Sequence, residues 1–271
     1  MTSRDQPIGP TRRRFEGKSV VVTGGASGIG RAAVLAFARE GGRVVFCDRD
    51  QAGGREVEAD IARLGGEATF FPCDVEKPQE IEAVMNSAAE RHGGIDVAFN
   101  NAGINFFRTL HEIDVDEWDR MFRINTRAVF LSIKYQVPHM LARGGAIVIT
   151  GSAIQEASRP GGAAYAASKR ALMGIAQSAA LDYGASGIRV NVLAPGPTDT
   201  PMARAVGARA AGGVAWEKAQ AEWAAANVAA LKRFATPDEI AAAALMLASD
   251  DCPFLTGTSL VVDGGITSRL S

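Results

Sequence analysis

An apolar run, Ser19 to Val22, passes directly into Thr23-Gly24-Gly25-Ala26-Ser27-Gly28-Ile29-Gly30, and a helical pattern follows at once from Arg31. No other feature constrains the fold as strongly. Glycines let a chain turn tightly out of a strand, and bare backbone at the start of a helix can approach an anion closely. Any strand-to-helix turn can use glycine, so the signal lies in its position between an apolar strand and a helix.

The same alternation recurs along the chain. Strand-like runs are Ser19 to Val22, Arg43 to Cys47, Ala68 to Phe71, Ile95 to Phe99, Ala146 to Thr150, Ile188 to Leu193 and Ser259 to Val262. Nearly all lack polar alternation, which marks strands buried on both faces. Between them lie helical patterns at Arg31 to Arg39, Arg55 to Leu64, Ile81 to Arg91, Asp116 to Ala142, Ala166 to Tyr183 and Asp238 to Ala248. Right-handed crossovers then dictate an α/β class: a Rossmann-like, doubly wound fold with a seven-stranded parallel sheet.

At 271 residues, 47% hydrophobic and 22% charged, the chain can bury one sizeable core. Residues 1–15 read as a disordered arm and 16–271 as a single dinucleotide-binding and catalytic domain. About forty residues between Leu193 and Pro237 carry Met202, Trp216 and Trp223; the part at about 199–230 reads as a substrate lid, or as an ordinary surface helical pair. A net charge of -1 offers no basic footprint, so neither nucleic acid nor an anionic membrane is expected as a partner. Arg12, Arg13 and Arg14 are followed by Glu16, Gly17 and Lys18 rather than by an export signal's apolar stretch, so a cytoplasmic location is expected. Cys47, Cys73 and Cys252 suit no disulfide framework, and with His92, His111 and His139 they show no metal-ligand spacing.

Twenty residues beyond Gly28, Asp48 closes the second strand, where a carboxylate can accept hydrogen bonds from an adenosine ribose. Asp74 ends the third strand and Asn100-Asn101-Ala102-Gly103 ends the fourth. Tyr165 and Lys169 stand four apart, hence on one helix face, a pattern that alone is a common accident. Ser152 follows an apolar strand thirteen residues before Tyr165, and Asn125 lies in a helical stretch where asparagine is intrinsically disfavoured. Together these features closely resemble the short-chain dehydrogenase/reductase family in its single-domain form. The match runs from about Lys18 to Gly265 and includes Thr23 to Gly30, Asp74-Val75, the Asn-Asn-Ala-Gly segment, Asn125, Ser152, Tyr165, Lys169, Pro195-Gly196 and Asp263-Gly264-Gly265.

The resemblance implies that Tyr165 exchanges a proton with the substrate oxygen, Ser152 hydrogen-bonds that oxygen, and Lys169 holds the nicotinamide ribose and favours the phenolate. Asn125 would support a water-mediated proton path to Lys169. Gly24, Ser27, Gly28, Ile29, Gly30, Asp48, Asp74, Val75, Asn101, Thr198 and Thr200 would line the cofactor, with Asp74 and Val75 flanking adenine, Asn101 near the adenosine ribose, and Thr198 and Thr200 by the carboxamide and phosphates. At ~4 Å and an effective dielectric of ~20, one charge pair is worth roughly 4 kcal/mol, so a net depression of the Tyr165 pKa is expected despite desolvation. Ile154, Gln155 and Met202, with Asn105, Phe106, Trp216 and Trp223, form a mixed apolar and amide set that suggests a neutral, partly apolar substrate. The expected activity is NAD-dependent interconversion of a secondary alcohol (polyol, sugar or cyclic alcohol) and its ketone by a homotetramer. The competing readings are a 3-oxoacyl-carrier-protein reductase, disfavoured by Ser27 and Asp48 but kept open by Arg49, and a catalytically silent dinucleotide-binding sensor.

Overall fold

Successive side chains on a strand point to opposite faces, and here both faces are apolar. The computed structural model describes residues 13–210 and 215–268. Its strands are β1 (Ser19–Thr23), β2 (Arg43–Asp48), β3 (Glu67–Pro72), β4 (Val97–Asn100), β5 (Gly145–Thr150), β6 (Ile188–Pro195) and β7 (Ser259–Val262). All pair in parallel, in the order β3-β2-β1-β4-β5-β6-β7. The sheet is the seven-stranded, doubly wound one expected from the alternation.

Val21, Val45, Ala98, Ile147, Ile149, Val190 and Val192 face one core, covered by α3 (Pro78–His92), α5 (Ala128–Gln136) and α6 (Ala163–Tyr183). Their alternates Val20, Val22, Val44, Phe46, Val97, Phe99, Val148 and Leu193 face the other, covered by α1 (Gly28–Arg39), α2 (Gln51–Arg63) and α9 (Pro237–Ala248). Each such side chain contributes about 1.5–3 kcal/mol on burial, so a slip of one residue in any strand would exchange two cores at once. Strand order reverses between β1 and β4, and the crevice beyond their carboxyl ends is where such sheets bind ligands.

The structure departs from two sequence expectations. The single helix expected over Asp116 to Ala142 is α4 (Val115–Phe122), a π-helical turn (Arg123–Arg127) and α5, followed by a short 3-10 turn containing Pro138. Proline there lacks the N–H that would continue the ladder, and the π turn widens the helix where Asn125 must face inward. Secondly, the end of the expected arm is docked: Phe15 is fully buried, edge-on to Phe37 at 4.8 Å, and Arg14 pairs with Glu40 at 2.6 Å. Residues 1–12 lie outside the described residues.

The segment expected as a substrate lid or a surface helical pair contains α7 (Pro201–Ala210) and α8 (Trp216–Asn227), with residues 211–214 outside the described ones. Trp216 and Trp223 stand edge-on to Phe234 at 5.9 and 5.5 Å, and the Trp216 indole N–H donates to Asp199 at 3.1 Å. These contacts anchor the segment to Phe234 and Asp199.

Candidate active site at the carboxyl ends of the sheet

The glycine turn leaves β1 with the Gly24 and Gly25 N–H groups donating to the Cys47 carbonyl at 2.8 and 3.1 Å, and it enters α1 at Ser27. Ser27 is extended at the N-cap but makes no side-chain cap bond, and the first turn of α1 carries no acidic residue. Gly30 packs against the turn it follows, since a Cβ there would collide with the Gly24 carbonyl oxygen and lie 2.6 Å from Asn101 Nδ2. Gly28 has a positive φ of 53°, and a Cβ on it would lie 3.2 Å from Thr200 Cγ2. A bare backbone cradle at a helix N-terminus fits a pyrophosphate, with Gly24, Ser27, Gly28, Ile29 and Gly30 as its wall.

Around that cradle the remaining cofactor candidates are brought together. Asp48 Oδ2 accepts the Ala26 N–H at 3.1 Å and Oδ1 the Asp50 N–H at 3.0 Å, so the carboxylate ties the turn to β2 while keeping lone pairs for a further donor. Arg49 is exposed. Asp74 accepts the Glu76 N–H at 3.0 Å, and Val75 packs part-buried against the core. Thr200 accepts the Ala203 N–H at 3.2 Å to open α7, and buried Thr198 donates to the Gly196 carbonyl at 3.0 Å. Asn101 acts chiefly as a brace: its amide donates to Gly24 O at 3.1 Å and accepts from the Thr150 hydroxyl at 3.2 Å.

The four polar residues picked from the sequence converge one step along the cleft. Lys169 is buried, its ammonium donates to the Thr150 carbonyl at 2.7 Å, and desolvation lowers its pKa to about 8. Asn125, fully buried in the π turn, accepts the Ile104 N–H at 2.8 Å and donates to Ser168 Oγ at 3.1 Å. Gly103 borders both: a Cβ there would lie 3.2 Å from Asn125 Oδ1 and 3.6 Å from Lys169 Nζ. Ser152 caps the turn after β5 and accepts the Ile154 N–H at 3.4 Å.

Tyr165 corrects the expected electrostatics. Burial raises the phenol above its ordinary pKa, while the Ser152 hydroxyl and the Arg159 cation oppose that shift without overcoming it. The ammonium of Lys169 sits 5.8 Å from the Tyr165 ring centroid and is itself weakened by desolvation, so burial prevails and the expected net depression is not seen. At neutral pH the phenol is protonated and poised as an acid.

Among the substrate candidates, Gln155 departs from expectation. It is buried, donates to Ser259 Oγ at 2.9 Å and accepts the Ser152 N–H at 3.3 Å, so its amide braces the loop after β5. Met202 is 40% exposed on α7, and Asn105 Oδ1 is a buried acceptor with no partner among the described residues. Sequence reasoning missed Ser168, whose hydroxyl donates to the Tyr165 carbonyl at 2.8 Å, and the pair Phe107 and Arg159 beside the phenol. An arginine and a phenylalanine in two separate loops carry no periodic or spacing signal.

A family model described as enoyl-(acyl carrier protein) reductase matches residues 24–267. The chain is 36% identical over 266 residues to a 3beta-hydroxysteroid dehydrogenase of Mediterraneibacter gnavus, covering 94% of this chain and 96% of that protein. It is 38% identical over 258 residues to a 2,5-dichloro-2,5-cyclohexadiene-1,4-diol dehydrogenase of Sphingobium indicum, covering 94% and 98%. The crystal structure of levodione reductase superposes with a TM-score of 0.89 at 31% identity, covering 94% of this chain and all of that one at 100%.

Proposed function

The chain belongs to the short-chain dehydrogenase/reductase family, and we propose that it interconverts a small cyclic secondary alcohol and its ketone with NAD. The observation that carries this reading is the convergence of Tyr165, Ser152, Lys169 and Asn125 in one crevice beside the glycine cradle. When bound, the nicotinamide supplies the hydride chemistry. Tyr165 gives a proton to the carbonyl oxygen in reduction and takes it back in oxidation, Ser152 orients that oxygen, and Lys169 would hold the nicotinamide ribose. Asn125, fixed to the Ile104 backbone, keeps the π turn open beside Lys169 for proton passage. Relatives named for steroid and cyclohexadiene alcohols support a ring substrate. The lid is assigned to about 199–230, with Met202, 40% exposed, as an apolar contact. The cytoplasm is the proposed setting, where Cys47, Cys73 and Cys252 stay free thiols. Among the described residues no helix is long and apolar enough to cross a membrane.

The test is NADH formation, followed by absorbance, with a panel of cyclic secondary alcohols. Binding of NADH with turnover of none of them would leave the silent-sensor reading in its place. Ser27 and Asp48 weigh against the acyl-carrier reductase, which would be supported instead by a preference for NADP.

Asp48 is assigned as the selector of NAD. A 2′-phosphate would bring negative charge against its carboxylate and the nearby Asp50, whose own oxygen caps α2 through the Gly53 N–H at 3.1 Å. Wild-type kcat/KM should favour NAD over NADP by about 100-fold, and Asp48→Ala should reduce that ratio at least about tenfold. An equal or higher wild-type value with NADP would refute the assignment.

We extend the reading to a homotetramer. β7 is an edge strand, and a groove between α4, α5 and α6 is lined by Phe122, Thr126, Phe130 and Ile175 together with Asp119, Arg123 and Arg127. Phe130 is 52% and Leu181 85% exposed, faces that a second subunit would cover. Light scattering at micromolar concentration should return about four times the 28.4 kDa chain mass, and a monomeric mass would overturn this.

A further inference from the structure

Resting on the ring-alcohol reading, we propose that the substrate carries a carboxylate and that Arg159, stacked on Phe107 at the mouth of the crevice, receives it. Arg159 lies in the loop joining β5 to α6, and its guanidinium sits 3.6 Å from the Phe107 ring centroid. Phe107, from the loop after β4, stands edge-on to the Tyr165 ring at 6.4 Å. The two loops are fastened, because the Arg108 N–H donates to the Gly161 carbonyl at 2.9 Å and the Gly162 N–H to that of Arg159 at 3.0 Å. The cation is therefore held beside the reacting phenol by a stack and a backbone clamp.

Nothing in the described protein neutralises it. Glu156, in the same loop, accepts from Gln155 Nε2 at 3.1 Å, and Glu117 pairs with Arg108 at 2.9 Å. Arg159 is exposed as a residue, while desolvation of its guanidinium lowers its pKa and the neighbouring Tyr165 opposes that shift. Lys169 is the other cation facing the phenol, from α6 below, and it is spent on the Thr150 carbonyl. A neutral side chain would cover Phe107 at no such desolvation cost. Stacking occupies the guanidinium's face and leaves its in-plane N–H groups for a planar, bidentate acceptor such as a carboxylate. This adds a charge to the neutral set expected from Asn105, Phe106, Ile154 and Met202.

The experiment compares 4-oxocyclohexanecarboxylate with its methyl ester, using NADH, in wild type, Arg159→Leu and Arg159→Lys. The wild-type kcat/KM should favour the acid by at least about tenfold, carried by KM, or about 1.4 kcal/mol. The ratio should fall to about one in Arg159→Leu and recover in part in Arg159→Lys. A wild-type ratio of one or less overturns the proposal, as do equal losses on both ketones in Arg159→Leu, which would make Arg159 a partner of the phenolate alone. Cyclohexanone separates the two readings: if no ketone, this one included, is reduced, the ring-alcohol assignment fails. The carboxylate is then read by binding, where cyclohexanecarboxylate but not cyclohexanecarboxamide should raise the Tm of wild type with NADH and not of Arg159→Leu. No difference between these two probes overturns the proposal.

Discussion

Tyr165→Phe is expected to lower kcat about a thousandfold or more while NADH affinity stays within about twofold of wild type. The substitution keeps the ring and its edge contact with Phe107 at 6.4 Å, and removes only the hydroxyl proposed to move the proton. General acid–base catalysis contributes about 10²–10⁴-fold in well-placed sites. Because burial raises the Tyr165 pKa, the phenol is the predominant form through neutral pH. Ketone reduction uses the phenol, so its kcat/KM should stay level at neutral pH and fall as pH rises through that raised pKa. Alcohol oxidation uses the phenolate and should rise over the same range. Steady-state rates in both directions across pH, with NADH titrated by fluorescence, check the whole statement. Near-normal kcat in Tyr165→Phe would remove Tyr165 from the mechanism.

Gly30→Ala is expected to destabilise the protein by about 3 kcal/mol or more, a loss of roughly 10 °C in Tm, and to abolish cofactor binding with it. The added methyl would collide with the Gly24 carbonyl and come within 2.6 Å of Asn101 Nδ2, and neither neighbour can retreat cheaply. Gly24 is backbone in the turn itself. Asn101 is held by Gly24, Thr23 and the Thr150 hydroxyl, so moving it disturbs β1, β4 and β5 together. Urea unfolding and NADH titration measure the two effects, and a variant of wild-type stability would show that the turn relaxes freely. Gly174→Ala is the matched control, since a Cβ at that helical position meets no atom within 4 Å.

How far the sequence could be read depends on how local each determinant is. All seven strands were legible because each is a short apolar run, and sheets buried on both faces require such runs. The cradle was legible because glycines between a strand and a helix have a local geometric cause. Tyr165 and Lys169 were legible from one helix face, and Asn125 from its poor fit to the helix around it. That same misfit also held the sign of a break: the helix expected over Asp116 to Ala142 is interrupted where the asparagine amide takes the Ile104 backbone as partner. Phe15 was read as part of an arm because its partner, Phe37, lies on α1, beyond the reach of any local pattern.

By itself, then, the sequence determined the alternation, the parallel sheet and the turn, and it singled out Tyr165, Lys169 and Asn125 as candidates, because each is written in spacing or propensity along one element. Tertiary structure alone decided which cores the strands face, which amides are spent as braces, as at Gln155 and Asn101, and how strongly burial acts on Tyr165 and Lys169. It also decided that Arg159 and Phe107 meet, 52 residues apart, at 3.6 Å beside the phenol. The physical reason is common to all of these: desolvation, stacking and hydrogen-bond satisfaction depend on which segments the fold brings together, and that information is absent from any single stretch of chain.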